Sequence, residues 1–258
     1  MKWIDENFKT KISKTCWLKL VDAWVESHAA NKMTWQQISE KALDDGSRKR
    51  MSLEFVRGHN TYAGKWFGSD QTWLDLYFSH EYLYLLLFDY FQISRHTYQP
   101  IGFYERGNTI VDVGGSIFSA YGLLKYGTKN VLITNFDDSP QNQFTNFIAD
   151  KLNLNVRSIQ NNNVPENSTM VCSEYFEHFK SVDAELDRLL KFSPSKIYVR
   201  NSFCFPAYGH YIPIEIGGNS YTDFRRAQRA FDTVMTDRGF KLTKITRFFG
   251  KTEKYDRC

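Results

Sequence analysis

The chain has 258 residues, with 33 Lys and Arg against 29 Asp and Glu, for a formal net charge of +4. Apolar residues make up 42% and charged residues 24%, ordinary globular usage that excludes a disordered, collagen-like or dedicated polybasic chain. Aromatic content is the departure: 21 Phe, 15 Tyr and 6 Trp supply rings enough to fill a core and to line a pocket for a flat ligand.

The first hundred residues have a helical rhythm. Trp17, Leu18, Leu20, Val21, Trp24 and Val25 recur at helix spacing. Thr34-Trp35-Gln36-Gln37 reads as a capping box, and Gly46 as the end of that helix. Residues 69–93 are apolar on most sides, which predicts a buried helix. Its longest apolar stretch, flanked by His80, Glu81 and Asp89, is too short to span a bilayer, and the N-terminus lacks the apolar segment of a signal peptide. Pro100 and Gly102 then read as punctuation between two regions.

Beyond residue 105 strands alternate with helices. Strands are predicted at 109–113, 131–134, 155–159, 169–173, 197–201 and 240–246, with helices at 119–126 and 141–152. This alternation implies a mostly parallel sheet covered on both faces, a doubly wound three-layer α/β sandwich. In such a fold a ligand sits beyond the carboxyl ends of the strands, where the strand order reverses. Cys16, Cys172, Cys204 and Cys258 are widely spaced and form no metal-binding or disulfide pattern, so no metal is expected and a reducing cytoplasm is the expected setting.

The first of these strands ends in Val111-Asp112-Val113-Gly114-Gly115-Ser116. Glycines there let backbone N–H groups approach a ligand, although a tight turn alone would also use them. Asp137 follows the second strand, about twenty residues beyond Gly114, where a carboxylate can accept the hydroxyls of a ribose. Asp137 or Asp138 would alternatively cap the helix that begins near Pro140.

With the acidic turn at 135–140, the stretch at 172–179 (CSEYFEHF) and the stretch at 184–194 (AELDRLLKFSP), the chain resembles the class I S-adenosylmethionine-dependent methyltransferases, especially their small-molecule members. The resemblance implies a Rossmann-like domain at 101–258 under a helical N-terminal cap and substrate region at 1–100. S-adenosylmethionine is the implied cofactor. Asp112, Gly114, Gly115 and Ser116 would surround its methionine portion, Asp137 its ribose, and Gln160 and Asn161 its adenine. Glu174 would lie where donor and acceptor meet. Ser116 and Phe118 stand where the family usually carries glycines, which keeps a catalytically inactive binding or scaffold protein as one alternative.

The implied reaction transfers a methyl group to an O, N or C atom of a small molecule. If the acceptor carries a proton, a base is needed, and His210, His178 and Glu174 are the candidates. Tyr175, Tyr208 and Tyr211 are the candidate substrate contacts, although His178 would equally serve as a packing residue at a helix start. The motifs of amino-methylating and cytosine C5 DNA enzymes are missing. Arg48, Lys49 and Arg50 nevertheless keep a DNA or RNA substrate as the other alternative. Arg225, Arg226 and Arg229 recur at helix spacing and suit an acidic ligand or a solvated face. No membrane association is expected, and a homodimer is left open.

Overall fold

The computed structural model describes residues 98–258 apart from 137, 206–209 and 247–251. The predicted helical cap, its rings and Arg48 to Arg50 lie outside the described residues, as do Asp137 and Tyr208. Elements follow in the order α1 (Gln99–Tyr104), β1 (Thr109–Val113), α2 (Ile117–Lys125), β2 (Asn130–Thr134), α3 (Pro140–Leu152), β3 (Val156–Ile159) and β4 (Thr169–Ser173). A short 3-10 turn (Phe176–His178) precedes α4 (Val182–Leu190), β5 (Lys196–Arg200), β6 (Ile214–Ile216), β7 (Asn219–Tyr221), α5 (Phe224–Asp237), β8 (Phe240–Thr246) and β9 (Thr252–Arg257).

Seven strands form one sheet in the order β3-β2-β1-β4-β5-β9-β8. β1 to β5 are mutually parallel, and β9 runs antiparallel between β5 and β8. The strand order reverses between β1 and β4, so a crevice opens at their carboxyl ends. Successive residues of a strand point to opposite faces, and both faces here are buried. On one, Val113, Cys172, Ile197 and Val199 pack with Leu186 of α4 and Phe231 of α5. On the other, Ile110, Val131, Ile133, Val171 and Tyr198 pack with Ile101 of α1 and Leu123 of α2.

Local chemistry sets the helix ends. Ser139 caps α3 by accepting from the Asn142 N–H at 3.2 Å, Pro140 opens the helix, and Asn153 closes it in the left-handed region at φ 48°. Asp138 is therefore not the cap of that helix. Asp223 caps α5 through the Arg226 N–H at 3.0 Å. Arg225, Arg226 and Arg229 all lie on the exposed side of α5.

Three features depart from the sequence reading. Pro100 and Gly102 lie inside α1, which crosses residue 100 without a break. Pro fits at the first turn, where its missing N–H has no helical partner, and Gly102 lets α1 press on α2: a Cβ there would sit 2.6 Å from the Leu123 carbonyl oxygen. The β3–β4 connection, residues 160–168, contains turns and no helix. β9 has no clear apolar alternation, because a polar network occupies part of its buried side. The Tyr255 hydroxyl lies 2.7 Å from both Asp232 and Glu253, its single hydrogen serving one of them at a time, and Gln228 donates to Glu253 at 2.6 Å.

Candidate active site

The first two residues leaving β1 carry no side chain. Gly114 has φ +70°, and a Cβ there would lie 2.6 Å from the Tyr175 ring. A Cβ on Gly115 would overlap the Asp112 carboxylate, at 2.1 Å from its Oδ2. The loop is tied at both ends: the Gly114 N–H donates to the Thr134 carbonyl at 2.8 Å, and the Asn135 amide donates to the Gly115 carbonyl at 3.0 Å. Ser116 donates its N–H to the Ser119 hydroxyl at 2.9 Å, at the threshold of α2. Ser119 in turn donates to Asp112.

Asp112 is 1% exposed. Burial pushes its carboxyl up to about 7, against the opposing pull of the Ser119 hydroxyl. Tyr98, just before α1, joins this cluster. Burial and the Asp112 charge raise its phenol above the ordinary range, while its hydroxyl bonds with Ser173 and Ser119. Neither Tyr98 nor Ser119 nor Asn135 carries a motif signal: Asn135 arrives from the end of β2 and Tyr98 from before α1, while Ser119 reaches back from the first turn of α2.

Glu174 immediately follows β4, at φ +51°, a strained backbone for a residue with a side chain. Its N–H donates to the Arg200 carbonyl at 2.7 Å, and its carboxylate pairs with the Arg200 guanidinium at 3.1 Å. Desolvation pushes its carboxyl up to about 7, reinforced by the Glu177 carboxyl; Ser202 and Arg200 pull it down. With 42% of the side chain still meeting solvent, water tempers this shift.

Glu177 itself is fully buried in the 3-10 turn. Its Oε1 accepts from the Ser202 N–H at 3.0 Å and the Ser202 hydroxyl at 2.6 Å. Its Oε2 is buried without a hydrogen-bond partner, as are both amide atoms of Asn201.

The segment carrying His210 docks on the same turn. The Tyr211 N–H donates to the Glu177 carbonyl at 2.9 Å, and the His210 and His178 rings meet edge to face with centroids 4.9 Å apart. Burial, then the neighbouring His178, lowers the His210 imidazole to about 3, so at neutral pH the ring is uncharged. Its Nδ1 lies 3.0 Å from the Phe205 carbonyl; as a donor there, it leaves Nε2 as the acceptor.

Of the three candidate bases, His178 and His210 meet each other on the turn after β4, whereas Glu174, at the end of β4, pairs with Arg200. Tyr175 points elsewhere: its ring packs under Gly114 and against Phe176 and Phe179, and its hydroxyl donates to Glu185 at 2.7 Å. Tyr211 is 9% exposed. Gln160 and Asn161 are exposed at the end of β3. Phe118 lies within α2.

No family model and no curated protein matches this chain. Solved structures do. The O-methyltransferase NcsB1 from neocarzinostatin biosynthesis, in complex with S-adenosylmethionine and 2-hydroxy-5-methyl naphthoic acid, is similar at a TM-score of 0.53 and 13% identity over 90% of this chain and 75% of that one. The pyocyanin biosynthetic protein PhzM is similar at a TM-score of 0.56 and 13% identity, over 87% and 73%. The chain has the class I methyltransferase fold.

The antiparallel strand inserted between β5 and the edge strand completes the methyltransferase sheet, and the glycine loop occupies its switch point. Among the described residues, no helix is long and apolar enough to cross a membrane, and no group of three or more His, Cys, Asp or Glu could hold a metal ion. Cys172, Cys204 and Cys258 are free thiols.

Proposed function

We propose that this protein is an S-adenosylmethionine-dependent methyltransferase acting on a small molecule. The observation that carries the reading is the bare Gly114-Gly115 backbone at the β1–β4 switch point, with the buried Asp112 carboxyl against it. That donor set fits a cationic amino acid. A carboxyl raised by burial becomes a strong partner for positive charge. Asp112, Gly114, Gly115 and Ser116 would hold the methionine portion, Asp137 the ribose, and Gln160 and Asn161 the adenine. Tyr98 and Asn135 add support beneath the loop.

When bound, the cofactor supplies an electrophilic methyl group on a sulfonium. The chain's own work is alignment, exclusion of water and custody of the proton that the acceptor gives up. Glu174 sits at the mouth with its carboxyl tuned near neutrality. His210 presents an uncharged imidazole, an acceptor of hydrogen bonds rather than a charged group. Tyr208 and Tyr211 belong to the segment that would read the acceptor. The small-molecule acceptors of the reading match the naphthoic acid held by NcsB1. The wide cysteine spacing fits a cytoplasmic setting.

Calorimetric titration of the full chain with S-adenosylmethionine tests this. Micromolar binding, weakened by roughly 1–3 kcal/mol in Asp137→Ala, is the expected result. A folded protein that binds neither the cofactor nor its demethylated product would overturn the reading in favour of a scaffold.

A further inference from the structure

The two glutamates beside the crevice are arranged in a way that the methyltransferase reading does not by itself require. Glu174 and Glu177 follow β4 three residues apart, and the Ser202 hydroxyl, delivered by the chain leaving β5, reaches both carboxyl groups. One hydroxyl has one hydrogen, so it cannot satisfy two carboxylates. Sharing that hydroxyl sets the two carboxyl groups side by side. As carboxylates both would only accept, and they can bond only through a proton. Glu177 Oε2 is in addition buried without a partner, so a full negative charge on Glu177 is poorly satisfied where it stands.

We propose that Glu174 and Glu177 form a proton-sharing pair, positioned by Ser202, that takes up the proton released by the methyl acceptor. The inference rests on the methyltransferase reading and narrows its substrate class to acceptors that lose a proton on methylation: a hydroxyl, a carboxylic acid or an ammonium.

In the step, the acceptor X–H bond breaks, the X–CH3 bond forms, and the C–S bond breaks with its electron pair going to sulfur. The proton passes to Glu174 and is held between it and Glu177. Glu174 touches the acceptor; Glu177 and Ser202 are positioning residues. Among the described residues, the charged and titratable groups that act on Glu174 are Arg200 on β5 and Tyr98 before α1; the His178–His210 contact lies on the same turn as Glu177. Arg200 stabilises the ionised form of Glu174, whose carboxyl is pushed up to about 7, so Glu174 gives up its proton as pH rises through that value and is then competent to accept one.

The test is an NMR titration of the full chain labelled at the glutamate carboxyl carbons, with the Glu174→Gln variant assigning the signal. A Glu174 midpoint near 7 is expected in the parent protein, shifted down by a unit or more in Glu177→Gln and not lowered in Ser202→Ala. A Glu177 that neither bonds to nor repels Glu174 would leave the midpoint where it was. An ordinary carboxyl midpoint in the parent, or no shift in Glu177→Gln, overturns the proposal. Circular dichroism confirms that each variant is folded.

The cofactor titration is read separately. A pair that titrates as stated in a protein that binds no cofactor overturns the methyltransferase reading and, with it, the use of the pair. Cofactor binding beside an ordinary Glu174 overturns the pair alone.

Discussion

At the residue scale, the tightest constraint on this protein is a missing side chain. Gly114 combines a left-handed φ of +70° with a Tyr175 ring placed where its Cβ would be. Gly114→Ala is expected to cost about 1–3 kcal/mol of stability and to abolish cofactor binding, checked by urea unfolding and calorimetry. Ser116, by contrast, keeps a side chain, and its N–H donates to the Ser119 hydroxyl as the chain enters α2. The motif was legible at this scale because glycine's permissiveness leaves a mark in sequence. Glu177 and Ser202 left no mark beyond a carboxylate three residues from another, since Ser202 arrives only through the pairing of Ser173 with Arg200.

At the element scale, the segment after β4 explains why a tyrosine beside an acidic residue is a poor guide to substrate contact. α4 turns Leu186 and Leu189 inward, one helical turn apart, and this puts Glu185 and Arg188 beside Tyr175. Arg188 bonds Glu185 at 2.6 Å and approaches the Tyr175 hydroxyl at 3.2 Å. Tyr175→Phe removes a hydroxyl that serves both. The expected loss is about 1–2 kcal/mol of stability, with cofactor affinity unchanged in calorimetry. A large drop in affinity at unchanged stability would instead return Tyr175 to the binding residues. β9 teaches a related lesson: an interior strand is normally read from its apolar residues, whereas here Glu253 and Tyr255 are buried through bonds to α5.

At the scale of the whole molecule, the carboxyl end of the sheet gathers Asp112 and Glu174, both pushed up to about 7, in one crevice. A raised folded-state value means that ionisation is disfavoured in the folded protein. These two groups therefore contribute stability that is full below about pH 4 and is lost as pH rises through about 7. A cationic ligand reverses that preference. Binding to ionised Asp112 releases a proton, so cofactor affinity is expected to rise between pH 5 and pH 7 and to level off above pH 8. Calorimetry at several pH values checks this. Asp112→Asn should flatten the profile and, without ligand, be more stable relative to the parent protein at pH 8 than at pH 5. A profile unchanged by Asp112→Asn would place the cation elsewhere.

The sequence by itself determined the alternation of strands and helices, the glycine loop after β1 and the acidic stretch after β4. Each is encoded locally, by apolar runs of strand length, by residues without a Cβ and by caps that act within a few positions. Only the tertiary structure decided that the Tyr175 ring packs under Gly114 with its hydroxyl on Glu185, that α1 runs through Pro100, and that β9 enters the sheet antiparallel. The same holds for the meeting of Glu174, Glu177 and Ser202. These depend on which strands become neighbours, and a sheet pairs residues dozens of positions apart through hydrogen bonds between backbones that are the same for every sequence.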